Sequence, residues 1–155
     1  MKHLSTLSAT ALLSLSLAGG AIAADLKPEE QIETRQAGYQ FMSWNMGKIK
    51  ASLSGDYNQE TVQKAAEAIA GIANSGMGAL YGPGTDKDVN GVKTRVKPEL
   101  FTEQAEVGKV AGDFVAAANN MAEVAATGDE AEVKQAFGAL GESCKACHKQ
   151  FRKDD

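Results

Sequence analysis

Four stretches of the chain carry apolar residues at alternating intervals of three and four, the spacing that puts side chains on one face of an α-helix. The first holds Ile32, Arg35, Tyr39, Met42, Met46, Ile49 and Leu53. Pro28 with Glu29 and Glu30 suits a first helical turn, where proline lacks only an N–H that would be unpaired anyway and acids meet the positive end of the helix dipole; Ser54-Gly55 ends the pattern. Asn58 is placed to cap a second helix whose buried face is Val62, Ala65, Ala66, Ile69, Ile72, Ala73 and Met77. Pro98-Glu99 opens a third, with Phe101, Val107, Val110, Ala111, Phe114, Ala118, Met121 and Val124 inward and Thr127-Gly128 as its stop. Asp129 with Glu132 has the form of a capping box, and Val133, Ala136, Phe137, Leu140, Cys144, Cys147, His148 and Phe151 carry a fourth stripe to the C-terminus.

Between Gly76 and Val96 the period fails, and Gly78, Gly82-Pro83-Gly84, Asp86, Asp88 and Asn90-Gly91 read as one long loop. A connection of that length in a compact domain usually has a packing or functional role. No segment shows sustained strand alternation. The pattern predicts an all-α fold, an antiparallel up-and-down four-helix bundle in which two of the three connections are only a few residues long.

The first residues do not belong to that fold. Met1-Lys2-His3 carries positive charge, Leu4 to Ala18 is an uncharged apolar and Ser-rich run, and Ala21-Ile22-Ala23 ends it with small residues, the form of a secretory signal peptide. The run is too short for a membrane anchor. We therefore read residues 1–23 as a leader cleaved after Ala23 and 24–155 as one domain, exported to the periplasm. Removing 23 residues from 155 leaves 132, and the leader takes Lys2 and His3 with it, so the net charge of −4 becomes −5 and His148 is the sole histidine of the mature chain. An acidic chain offers no electrostatic footprint for nucleic acid or an anionic membrane surface.

Cys144-Lys145-Ala146-Cys147-His148 is the sharp chemical signal, the C-x-x-C-H pattern of covalent c-type haem attachment. On a helix the cysteines at i and i+3 share a face, spaced for thioethers to the two vinyl groups of one porphyrin edge, and the histidine at i+4 projects toward the iron. Other uses of such residues fit less well. A reactive dithiol wants its cysteine at a helix N-terminus, whereas these lie near a C-terminus. A structural zinc site needs four ligands, and a plain disulfide would leave His148 without a role. Arg35 is the odd member of the first seam, because a guanidinium among Ile32, Tyr39 and Met42 must either reach out to water or meet an anion, and the haem propionates are one such anion.

Four helices with C-x-x-C-H on the last resemble the cytochrome c′ family. Arg35-Gln36, Tyr81-Gly82-Pro83-Gly84-Thr85, Lys97-Pro98-Glu99 and Phe137-Gly138 extend the resemblance over essentially all of Ala24 to Lys153. The segment from Glu29 to Lys50 looks especially like the form from purple sulfur phototrophic bacteria. The resemblance implies one haem c per chain, joined to Cys144 and Cys147, with His148 as the axial ligand of a five-coordinate, high-spin iron. It puts Arg35 and Gln36 at the propionates, Tyr39 over the distal side of the iron, and Arg152 beside the proximal histidine, where a basic residue favoured by the helix dipole is the plainer explanation. Thr94 and Arg95 are expected at the haem edge.

Met42 and Met46 face the same way as Tyr39, so a low-spin Met/His electron-transfer cytochrome of the same bundle class is the alternative, although methionines at this spacing ordinarily pack a core. Tyr39 at the distal position argues against it. The mature chain lacks a second imidazole for the acid-base step that peroxide cleavage usually employs, so a carrier of electrons or of a small gas, NO or CO, is favoured over a peroxidase-like or NO-handling enzyme. Finally, Ala37, Phe41, Trp44 and Lys48 form a second stripe on the first helix, which one monomeric bundle would leave uncovered. The resemblance points to a homodimer through that face. A periplasmic redox partner is also implied.

Overall fold

The computed structural model describes residues 26–154; the leader and its cleavage point after Ala23 lie outside the described residues. The chain is an antiparallel bundle of α1 (Pro28–Ser54), α2 (Gln59–Ala73), a single turn α3 (Glu99–Thr102), α4 (Gln104–Thr127) and α5 (Glu130–Phe151), with a 3₁₀ turn at Met77–Leu80. Local chemistry sets the starts. The Lys27 N–H donates to Glu30 Oε2 at 2.8 Å, Asn58 Oδ1 accepts from the Thr61 N–H at 2.8 Å, and Asp129 Oδ1 accepts from the Glu132 N–H at 3.0 Å, each satisfying a donor that has no partner within the helix.

Two elements depart from the sequence pattern. The third helix is broken at Glu103, where the backbone leaves helical angles at φ −102° and ψ 52°. The Gln104 side-chain amide donates to the carbonyls of Leu100 and Phe101, both at 3.2 Å, and so takes the acceptors that continuous helix would have used. The break turns Leu100 inward in place of Phe101. Met77 is not part of the second helix either. Asn74 caps α2 by donating from both its backbone and its side chain to the Ala70 carbonyl, at 3.0 and 2.7 Å, and Met77 then lies against Gly38 of α1.

The long connection from Gly76 to Val96 is also more ordered than its composition suggests. Asn90 and Gly91 both have positive φ, 49° and 84°, and join Val89 to Val92 as a tight turn of the kind Asn-Gly dipeptides favour. Further back the loop touches α1 directly. Gln31 Oε1 accepts from the Gly82 N–H at 3.0 Å, and a Cβ on residue 82 would lie 2.7 Å from that oxygen, so a larger residue there would displace the Gln31 amide.

Helix α2 packs on α1 and on α4, and α4 packs on α5, whereas α1 and α5 scarcely meet. The apolar interior divides accordingly. One cluster runs through all four long helices, with Met42, Ile49, Val62, Ile69, Met121, Val133 and Leu140 among its buried members. A smaller one joins Leu100, Val110 and Phe151, with Tyr81, Phe101 and Cys147 against it. Each fully buried Ile, Leu or Met contributes about 1.5–3 kcal/mol. What separates the two clusters is a cavity on the open α1/α5 side.

Candidate functional site

The cavity is about 600 Å³ and mostly apolar, a size and character suited to a bound organic cofactor. Its wall on α5 is the stripe Leu140, Cys144, Cys147, His148 and Phe151, which the i, i+3, i+4 spacing puts on one face. Its wall on α1 is Arg35, Gln36, Tyr39, Met42 and Met46, and Leu100, Val110 and Phe114 come from the α3 and α4 side. The loop supplies Tyr81, Thr94 and Arg95, and Arg152 follows the end of α5. Thus all eleven residues singled out from the sequence line one space. Tyr81 entered that reading only as part of a loop motif; an aromatic beside a Gly-Pro-Gly turn is the trace it left there.

Arg35 is 2% exposed and acts first on the protein itself. Its guanidinium donates to the carbonyls of Leu80 at 3.0 Å and Thr85 at 2.8 Å and to Thr94 Oγ1 at 2.9 Å, and it lies 4.4 Å from the centroid of the Tyr81 ring. Burial pulls its pKa down, opposed by the neighbouring tyrosines. Gln36 donates to the Lys93 carbonyl at 2.7 Å. These two residues therefore tie the loop to α1 while lining the cavity, and the sequence alternatives of water or an anion for Arg35 omitted this loop role.

Tyr39 is 42% exposed, and its hydroxyl meets that of Tyr81 at 3.0 Å. Burial raises the pKa of both phenols, so both stay neutral. Met42 is buried in the main cluster and Met46 packs against it. On the opposite wall the two cysteines are half-buried and form no disulfide with each other, and burial pushes the pKa of each thiol up. Burial, then the cations of Arg152 and Arg95, lowers the pKa of His148 and favours the neutral imidazole that a metal requires. Arg152 Nη1 lies 3.3 Å from His148 Nδ1. The segment before α3 pairs with the C-terminal tail beside them: the Lys97 N–H donates to the Phe151 carbonyl at 2.9 Å and the Lys153 N–H to the Arg95 carbonyl at 2.7 Å.

Among the described residues no cluster of three or more His, Cys, Asp or Glu side chains is placed to hold a bare metal ion. The donor set fits a porphyrin instead, with two thiols and one imidazole on a helical face, apolar walls for a flat macrocycle, and arginines for its carboxylates.

The family profile described as Cytochrome C' matches residues 30–152. The chain belongs to the cytochrome c′ family. Cytochrome c′ of the purple sulfur bacterium Allochromatium vinosum is 64% identical over 152 residues, spanning 98% of this chain and 99% of its own. A solved cytochrome c′ with an unusual ligand-controlled dimer dissociation superposes with a TM-score of 0.82 at 66% identity, covering 83% of this chain and 98% of that one. A carbon monoxide-bound variant of cytochrome c′ from Alcaligenes xylosoxidans has a TM-score of 0.73 at 25% identity, with the same coverage, and a nitric oxide complex is known for another variant of that protein. The chain is thus a c-type haem protein that carries covalently attached haem c, and the four-helix bundle expected from its pattern is the cytochrome c′ architecture.

Proposed function

We propose that this cytochrome c′ is an exported, non-catalytic haem protein with a five-coordinate, high-spin iron that exchanges an electron or binds NO or CO at its free axial position. Haem supplies a redox-active iron and, where one axial site is open, a place for a diatomic ligand. Cys144 and Cys147 tether it, His148 provides the axial nitrogen, and Arg35, Gln36, Thr94 and Arg95 meet its polar edge. The observation that carries the reading is the α1 wall of the cavity. It offers the neutral phenol of Tyr39, a poor iron ligand, and two thioethers already committed to the core, Met42 and Met46. A small uncharged gas then meets only the steric cost of moving Tyr39, whereas an anion must also shed its water in an apolar pocket. Ferric anions should bind poorly. Oxygen should bind weakly, since its polarised complex needs a donor that this wall does not aim at it.

Export through the leader and a periplasmic location follow the sequence pattern, and among the described residues no helix is long and apolar enough to cross a membrane. Dimerisation is assigned to α1. Phe41 and Trp44 are 48% and 58% exposed, their rings 5.4 Å apart, with Lys48 Nζ 4.1 Å over the indole. Two exposed aromatics side by side are costly to leave in water.

Optical and EPR spectra of the purified ferric and ferrous protein, before and after addition of CO and NO, test the reading. High-spin spectra that convert on adding gas are expected. A low-spin six-coordinate resting state that becomes high-spin on Met42→Ala or Met46→Ala would identify a methionine ligand and overturn it.

A further inference from the structure

We propose that Tyr81 is a positioning residue for ligand entry, its hydroxyl latching the Tyr39 ring over the cavity so that a gas reaches the iron only as that bond opens. The inference rests on the open axial site assigned above and adds a residue from outside the helices that carry the haem ligand and the distal tyrosine.

The two ends of the latch differ in how firmly they are held. Tyr81 is held by two neighbours. The Arg35 guanidinium lies 4.4 Å from its ring centroid, and the Phe101 ring packs at 6.4 Å with an interplanar angle of 60°. Arg35 is itself fastened by its three hydrogen bonds to Leu80, Thr85 and Thr94, the first of them the residue beside Tyr81 in the chain. Tyr81 therefore cannot follow a moving partner. Tyr39 sits on the continuous helix α1, where a change of side-chain rotamer is the available motion, and such a change carries its hydroxyl out of the 3.0 Å contact.

The chemistry of the bond makes it a gate and not a lock. Both phenols are neutral, so the contact is a neutral hydrogen bond, whose net worth is small enough to break thermally. The latch exists in the ligand-free state and is already broken when a gas is bound. Its loss should quicken association and leave dissociation unchanged.

Rebinding after photolysis of the ferrous CO complex reads association, and displacement of bound CO by excess NO reads dissociation. In Tyr81→Phe the ring, and with it the Arg35 and Phe101 contacts, is kept. Association should rise roughly two- to tenfold, the range a net hydrogen bond of this type spans. Tyr39→Phe should give a similar rise, and the double variant should be no faster than either single one. Ultraviolet resonance Raman spectra should show the Tyr39 hydroxyl losing a hydrogen-bond partner in Tyr81→Phe, a change that general loosening of the loop would not produce. Unchanged association in a five-coordinate Tyr81→Phe protein, or gains that multiply in the double variant, would overturn the latch alone. A six-coordinate low-spin wild type would overturn the open-site reading and the latch with it.

Discussion

Replacing Arg35 with leucine tests whether one side chain holds the long loop in place. The substitution keeps an apolar stem on α1 but removes three hydrogen bonds, to the Leu80 carbonyl, the Thr85 carbonyl and Thr94 Oγ1. Bonds from a charged donor contribute about 1.5–3 kcal/mol each, so the contacts together amount to about 5–9 kcal/mol. Against this, the variant no longer buries a cation, and burial disfavours the charged form of Arg35 in the native protein. What remains is the loss of a donor by three acceptors, two carbonyls and a hydroxyl, at about 1–3 kcal/mol for each left unpaired, so a net cost of about 3–5 kcal/mol is expected. For a domain of this size the melting temperature should fall by about 10–20 °C. Thermal melts followed by far-UV circular dichroism and by haem absorbance provide the number. Hydrogen exchange provides the location: amides of Thr85, Val89 and Val92 should lose protection before those of α2. Arg35→Lys keeps the charge but puts its donors on one nitrogen in place of the two that reach these acceptors, and should recover less than half of the loss. A melt of the Arg35→Leu protein within about 3 °C of wild type, with loop protection intact, would show that other contacts hold the loop.

Three further outcomes are expected. Trp44→Lys should shift the protein from dimer toward monomer in sedimentation velocity at micromolar concentration, and a wild type that is already monomeric there refutes the α1 interface. Cys147→Ala should leave a single thioether, read as poor maturation and an altered haem absorption band, while free haem extracted from wild type by acidified organic solvent would refute covalent attachment. The His148 imidazole is held below its ordinary 6.5, chiefly by burial, so the unfolded chain takes up the proton first as the pH falls. The haem-free protein should therefore be most stable above about pH 6.5 and weaken below it until the native state protonates too; a urea midpoint whose pH dependence is the same in His148→Gln would refute the assignment.

The legible parts of this fold are those decided by neighbours in sequence. Pro28 announces a helix start because its fixed φ suits the first turn, Asn58 and Asp129 because a cap acts on an N–H three residues away, and the spacing of Cys144, Cys147 and His148 contains its own geometry. Pro98-Glu99 announced a start as well, yet the break at Glu103 depends on where one glutamine side chain turns, which the hydrophobic period does not record. The family was readable from motifs spread over the chain. At the cavity, Arg35 stood out as a charge in an apolar seam, so its need for partners was visible. Their identity was not, since they are carbonyls and a hydroxyl brought in from the loop by tertiary structure.

The pairing of the C-terminal tail with the segment before α3 bears on how this protein can be handled. Lys153 is hydrogen-bonded to Arg95, and Phe151 to Lys97, a few residues beyond His148. A tag or fusion partner joined after Lys153 would leave the molecule from the rim of the cavity, and a short linker there would pull on the tail that follows His148. At the other terminus the chain enters α1 at Pro28, where no residue of the haem attachment motif lies. An affinity tag placed just before Pro28 would therefore stand clear of that motif.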